Sequence, residues 1–387
     1  MDRHYFDHNA TTPIDPQVLD AMMPALREVS GNASSIHSYG QDARRLVEAA
    51  RRQVAELVHC DSKELVFTGS GTEADNLAIL GVVRAAKGEQ KHVVTTTIEH
   101  PAVLQTCQQL EREGVAVDYV DVGPSGIVAL DDVRASLRPE TVLVSVMHAN
   151  NELGTIQPIA EIAEAAHEVG ALFHTDAVQS AGKLPIDVAA LGVDLLVLSG
   201  HKLYGPKGVG ALYIRNGVEI EKIQFGGGHE RGRRPGTENV SGIVGLGAAA
   251  QLAAENLATE ADRQEVLRDR LEQGILQRVA DCWVNASDSP RTPNTTNIGF
   301  SGIEGEPLLI SLDLKGFAVS SGAACSSGVV EPSHVLLAIG LDKPTARSCL
   351  RFSIGKGTTA VEVESLLDAL PQVVERLRAL APAQTDA

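Results

Sequence analysis

The sequence predicts an α/β protein with a mainly parallel sheet flanked by helices, followed by a smaller α+β unit. Three observations carry this. From about residue 42 to 255, short β-rich runs alternate with amphipathic helical stretches. Around residues 226–237 the stretch GGGHERGRRPGT breaks that alternation with glycines and clustered arginines. After it, a polar–apolar period from about Glu255 to Val279 reads as one long helix bridging to a second unit. A chain of 387 residues is long enough for both.

Taken in order, strands are expected at 65–68, 92–97, 115–120, 142–147, 171–176, 193–198 and 209–214, with helical stretches such as 159–168 between most of them. Alternation of this kind places ligands at the carboxyl ends of the strands. Beyond the long helix, strands are expected at 296–300, 318–320 and 350–354. The last helix opens with Thr359-Ala-Val-Glu362, a capping-box pattern. There is no internal repeat, and only the final six residues, 382–387, read as unstructured.

The formal net charge is −17, spread through the helical stretches, which argues against nucleic acid or an anionic membrane as the main partner. No run approaches eighteen apolar residues and the N-terminus has no basic segment leading into an apolar one, so a cytoplasmic protein is expected. Five cysteines at wide spacings, with no C-x-x-C pair, suggest neither a disulfide framework nor a thiolate metal site; no metal is expected.

Four expected strand ends carry chemistry. FTGSGTEADN (67–76) is a strand, a glycine turn and a helix start, where Gly71, the first amides and the Thr72 hydroxyl suit an anion, or else form an ordinary βα turn capped by Thr72. TIEHPAV puts His100 just before Pro101, a helix start, where a structural histidine is the plainer reading. FHTDAVQSAG brings out Asp176, suited to a heteroaromatic nitrogen or to a helix cap, with Gln179 three residues on. LSGHKLYGPKG (198–208) ends an apolar run with Lys202, either a surface lysine or an amine desolvated to attack a carbonyl. An anion cradle, a carboxylate for a pyridine nitrogen and a lysine for an aldehyde together describe pyridoxal 5'-phosphate held as a Schiff base on Lys202. Separately, SSGAACSSG (320–328) places Cys325 among small residues, as a mobile attacking thiolate requires, whereas Cys60, Cys107, Cys282 and Cys349 read as small core residues.

These stretches, with HNATTP, GNASSIHSYG, HANNELGTIQPI, GGGHERGRRPGTENV and LRFSIG, resemble the cysteine desulfurases of the class V aminotransferase-like, fold type I pyridoxal phosphate enzymes, over about residues 5–360. The cysteine stretch is similar to that of the NifS and IscS branch. The resemblance implies a large cofactor-binding domain, 15–255, and a small domain, 1–14 with 256–387, carrying the mobile cysteine loop at about 320–332.

It also implies roles. Lys202 would hold the cofactor, His100 stack on its ring, Asp176 pair with the ring nitrogen and Gln179 reach the phenolic oxygen. Gly71, Thr72, Ser199 and His201 would hold the phosphate, with Thr237 of a second subunit, hence a homodimer. Asn151 and Arg351 would bind the carboxylate of L-cysteine. Lys202 would move the Cα proton, His100 handle thiol protons, and Cys325 take the sulfur as a persulfide, releasing L-alanine. The persulfide would pass to an acceptor protein, for iron-sulfur cluster assembly or another sulfur-containing product. A selenocysteine lyase, or another aminotransferase or lyase of this fold, is the alternative implied. The chain ends soon after its last expected helix, so docking of an iron-sulfur scaffold through a further C-terminal segment is not expected.

Overall fold

The computed structural model describes residues 3–321 and 331–380. After the short β1 (His4–Tyr5), α1 (Pro16–Arg27) starts on Asp15, whose carboxylate accepts the Gln17 N–H. The 21-residue α2 (Ser38–Val58) follows and stops where His59 turns into the left-handed region at φ 54°.

The main sheet then builds strand by helix. Its strands are β2 (Leu65–Thr68), β3 (His92–Thr96), β4 (Ala116–Val120), β5 (Thr141–Ser145), β6 (Leu172–Asp176), β7 (Leu195–Ser199) and β8 (Gly210–Ile214). All seven fall where the apolar runs predict them. The sheet order is β2-β8-β7-β6-β5-β3-β4, parallel throughout except for β8, which runs antiparallel to both of its neighbours. The carboxyl ends of the other six strands therefore share one edge.

Helices α3 (Gly71–Ala85) and α4 (Pro101–Arg112) cover one face, packing Leu77, Ile79, Val103 and Leu110 on Val66, Val93, Leu143 and Val197. The opposite face, with Phe67, Val144, Phe173 and Leu198, is covered by α2, by α5 (Leu130–Ser136) and α6 (Ile159–Glu168), and by the first part of α7 (Val240–Arg278). Burial on both faces is why these strands read as nearly unbroken apolar runs.

Helix α7 is 39 residues long and starts at Val240, well before the expected Glu255. Its first part, VSGIVGLGAAAQLAA, is apolar nearly all round, so it carries no helical period to read. It is packed at close range: a side chain on Gly247 would sit 2.6 Å from the Ala50 Cα in α2. The far end of α7 leaves that core and contributes Leu271 and Ile275 to a second one, with Phe300, Phe352, Leu308, Leu366 and Leu370.

This second core lies against an antiparallel sheet. Its strands are β9 (Cys282–Val284), β10 (Thr295–Phe300) and β12 (Cys349–Ser353), with β10 central. The expected strand at 318–320 is β11 (Phe317–Ala318), parallel to β1, while Ser320 makes a single bridge to Arg351. The C-terminal helix Ala360–Leu380 begins as the capping box predicts: Glu362 accepts the Thr359 N–H at 2.8 Å and Thr359 Oγ1 accepts the Glu362 N–H at 3.2 Å.

Candidate active site

The shared carboxyl edge brings together side chains far apart in sequence. At the end of β2 the chain turns through Gly69 and Ser70 into α3. Ser70, not Thr72, is the cap, its hydroxyl accepting the Glu73 N–H at 3.1 Å. The helix ladder starts with Ala74 N–H on Ser70 O, which leaves the amides of Gly71 and Thr72 for an anion. Gly71 is pressed on the neighbouring strand end. A methyl group there would lie 3.0 Å from Val178 Cγ2 and 3.4 Å from Ser199 Cβ, so any larger residue would fill the recess. Thr72 is exposed at its rim and Ser199 is buried below.

His100, after β3, caps α4 as Pro101 predicts: its Nδ1 accepts the Ala102 N–H at 3.1 Å. One ring nitrogen is thus committed to structure and the other is left for the site. Asp176 closes β6 buried, with Oδ1 accepting the Val178 N–H at 2.8 Å. Burial raises its pKa, while His100 and Lys202 pull it back. His100 is shifted down, first by burial, and Asp176 opposes that shift.

A third group joins this pair. Asp75 sits one helical turn after Thr72, and donor atoms of Asp75, His100 and Asp176 lie within 4.8 Å of one another. Asp75 is fully buried, its Oδ1 has no hydrogen-bond partner among the described residues, and it lies 3.6 Å from His174 Nε2. His174 is held by Ser145 Oγ on Nδ1 at 2.8 Å, and burial drives it down to about 3. Desolvation and the Asp176 charge push the Asp75 carboxyl well up, since two buried carboxylates this close do not both ionise. Next to His100, Glu99 is also buried. Its Oε1 accepts from Thr96 Oγ1 at 2.7 Å and from the Met147 N–H at 2.9 Å, and burial raises it to about 8.

Lys202 follows β7 in a single 3₁₀ turn, Gly200–Lys202. Its ammonium donates to the main-chain oxygens of Asn9 and, at 2.8 Å, Ala10. Burial first, then Arg351, lowers it to about 8, against the opposing charges of Asp176 and Asp7. The bland surface-lysine reading does not fit such a group. His201 Nδ1 faces Thr11 Oγ1 at 3.0 Å. Gln179 is buried, with Nε2 on Asn9 O at 2.9 Å and Oε1 accepting from Lys183 Nζ at 2.9 Å.

Arg351, in β12, reaches the same place from the second sheet. Its Nη1 donates to Asn151 O at 2.9 Å and its Nη2 to Asp7 Oδ1 at 2.6 Å, while Nε, buried, has no partner among the described residues. Asn9 ties the halves together: its Nδ2 donates to Thr295 Oγ1 at 2.8 Å, its Oδ1 accepts from Asn294 at 2.9 Å, and its N–H meets Ser353 Oγ at 2.9 Å.

So Gly71, Thr72, Ser199, His100, Asp176, Gln179, His201, Lys202, Asn151 and Arg351 surround one region. Thr237 stands apart, exposed in an open depression with Phe225, Gly226 and His229. Its segment reaches α3 through Arg234, which pairs with Glu73 at 2.7 Å. Cys325 lies outside the described residues. Cys60, Cys107 and Cys349 have thiols pushed up to about 12, 12 and 11 by burial, and Cys282 is raised too.

Sequence reasoning assigned no role to Asp7, Asn9, Asp75, Glu99 or Lys183. For Asp75 a signal existed, the one-turn spacing from Thr72; for Asn9 and Asp7 only their place beside ATTP hinted at it.

Comparison with known proteins identifies the family. The aminotransferase class-V family model matches residues 4–366. A cysteine desulfurase of Trichormus azollae is 49% identical over 99% of this chain and 95% of its own length. Cysteine desulfurase IscS of Dictyoglomus turgidum is 46% identical over 98% and 96%. A solved NifS-like protein superposes with a TM-score of 0.91 at 38% identity, covering 97% of this chain and all of its own. The chain belongs to the class V aminotransferase family.

Proposed function

We propose that this edge is the active site of a pyridoxal phosphate-dependent cysteine desulfurase, with Lys202 as the cofactor-bearing amine and Cys325 as the sulfur acceptor. The observation that carries it is the joining of a lysine lowered to about 8, a buried Asp176 and a carboxylate-binding Arg351 around one recess. The near full-length likeness to cysteine desulfurases points the same way.

The residues fit the cofactor. Gly71 leaves a recess that a methyl group would fill, two helix-start amides and Ser199 face its phosphate end, and buried carboxylates lie where a ring nitrogen needs one. When bound, pyridoxal phosphate supplies an aldehyde for amines and a ring that accepts the electrons of a breaking bond at Cα.

The chain's own residues do the rest. Asp176, fixed by the Val178 N–H, holds a proton on the ring nitrogen. Gln179 bonds the phenolic oxygen, and Thr72, Ser199 and His201 hold phosphate with Thr237 of a second copy, so the working form is a homodimer. Arg351 and Asn151 orient the carboxylate of L-cysteine, a task suited to a planar guanidinium. Lys202 Nζ, with a substantial neutral fraction near neutral pH, takes the Cα proton. His100, one nitrogen engaged as a cap, passes the thiol proton on the other. The Cys325 thiolate forms an S–S bond with the substrate sulfur as the C–S bond breaks; the carbon is then protonated, leaving a persulfide and L-alanine. The persulfide sulfur goes to an acceptor protein in the cytoplasm, for iron-sulfur cluster assembly or another thiolated product.

The test is product analysis with L-cysteine and a reducing thiol. Wild type is expected to form alanine, Cys325→Ser to form none while keeping its visible cofactor band, and Lys202→Ala to lose the band. Pyruvate from wild type, or alanine from Cys325→Ser, would refute sulfur transfer through Cys325.

A further inference from the structure

Lys183 is a half-buried cation with no carboxylate partner among the described residues. Its Nζ donates to Gln179 Oε1 at 2.9 Å and reaches Asn9 Oδ1 at 3.4 Å, and among the described residues it forms no ion pair. A desolvated ammonium with no carboxylate is costly to keep for packing alone. Burial lowers it to about 7, helped by the positive charges of Lys202 and Arg351. Its own charge in turn presses on His8.

What it touches decides its use. A side-chain amide has an oxygen at one end and an NH₂ at the other, and an ammonium only donates. Lys183 therefore requires the oxygen of Gln179 on its side, which sends the NH₂ toward Asn9 O, the oxygen that also receives the Lys202 ammonium. Asn9 O, which only accepts, sets the same orientation from the other end, so without Lys183 the amide keeps that bond but its oxygen loses the donor that braces it.

Resting on the cofactor reading above, we infer that Lys183 is a positioning residue: it braces the Gln179 amide through its oxygen while the NH₂ faces the cofactor's phenolic oxygen, and it places a positive charge beside Lys202. Both effects act in one direction. An NH₂ donor stabilises the negative phenolic oxygen most when the Lys202-linked chromophore has lost its proton, and a nearby cation opposes protonation. The other charged or titratable groups facing Lys202 are Arg351, Asp176, Asp7, His100 and His201, none of which is altered when Lys183 is replaced.

The experiment is a pH titration of the visible band in cofactor-loaded wild type, Lys183→Met and Lys183→Gln, with equilibrium dialysis of pyridoxal phosphate for each. Lys183→Met is expected to raise the midpoint by about one pH unit or more and to weaken cofactor retention. Lys183→Gln, which restores a donor to Gln179 without the charge, is expected to fall between. Should Lys183→Met fail to load, Lys183→Gln decides alone: an upward midpoint supports the inference and an unchanged one overturns it. A lower melting temperature with an unmoved midpoint in Lys183→Met means a structural lysine and also overturns it. A wild-type protein with no titrating band overturns the cofactor reading itself, a result distinct from an unmoved variant.

Discussion

Arg351, itself buried, holds the half-buried Asp7 through Nη2 at 2.6 Å, so the guanidinium is set in place by a residue far away in sequence. Its Nε is buried and without a partner among the described residues. A lysine at this position would keep the charge but lose the fork that bonds Asp7 and Asn151 O together. Arg351→Lys is expected to raise KM for L-cysteine roughly tenfold or more, with the visible cofactor band unchanged. Alanine formation measured against cysteine concentration checks this, and an unaltered KM would rule Arg351 out as the carboxylate anchor.

Glu99 gives a stability prediction with a defined sign. Its folded pKa is raised from 4.5 to about 8 by burial. The folded state thus keeps a proton that the unfolded chain gives up above 4.5. The stabilisation is fully present below that value and is lost as pH climbs through about 8. Gln mimics the protonated acid, so Glu99→Gln is expected to match wild type near pH 5. It should gain on wild type by up to about 1.4 kcal/mol per pH unit toward pH 8. Urea unfolding of both proteins across that range is the measurement; a constant difference would mean that Glu99 is ionised in the fold.

Cysteine labelling separates the proposed nucleophile, Cys325, from the other thiols. With thiols at about 11 to 12, Cys60, Cys107 and Cys349 are ionised at pH 7 only to the order of one part in 10⁴ or 10⁵. Brief treatment with iodoacetamide is expected to modify one thiol per chain, and none in Cys325→Ser. Rapid labelling that persists in Cys325→Ser would point to a different reactive thiol.

The parts of this molecule legible in the sequence are those that announce themselves locally. A strand buried on both faces, such as Leu195–Ser199, is an apolar run, and the side chain that follows it is delivered to the carboxyl edge, so Lys202 and Asp176 could be placed there from one dimension. The start of α7 was hidden because Gly and Ala packed on α2 leave no polar face to set a period. Asp75, Lys183 and Asn9 were hidden for another reason. Their significance lies in what they meet: Asp75 an atom of His174, Lys183 the amide of Gln179, Asn9 residues nearly three hundred positions away. Burial of a polar group is a tertiary fact, and no local pattern encodes it.

Asn9 is made before the main sheet, yet the side chains that fix it, Asn294, Thr295 and Ser353, are made after that sheet. A chain that folds as it emerges can complete the main sheet and still lack this brace. The oxygens that hold the Lys202 ammonium then wait, unanchored, for the second sheet. Loading of Lys202 in its proposed role thus waits until the segment carrying Asn9 has met the second sheet.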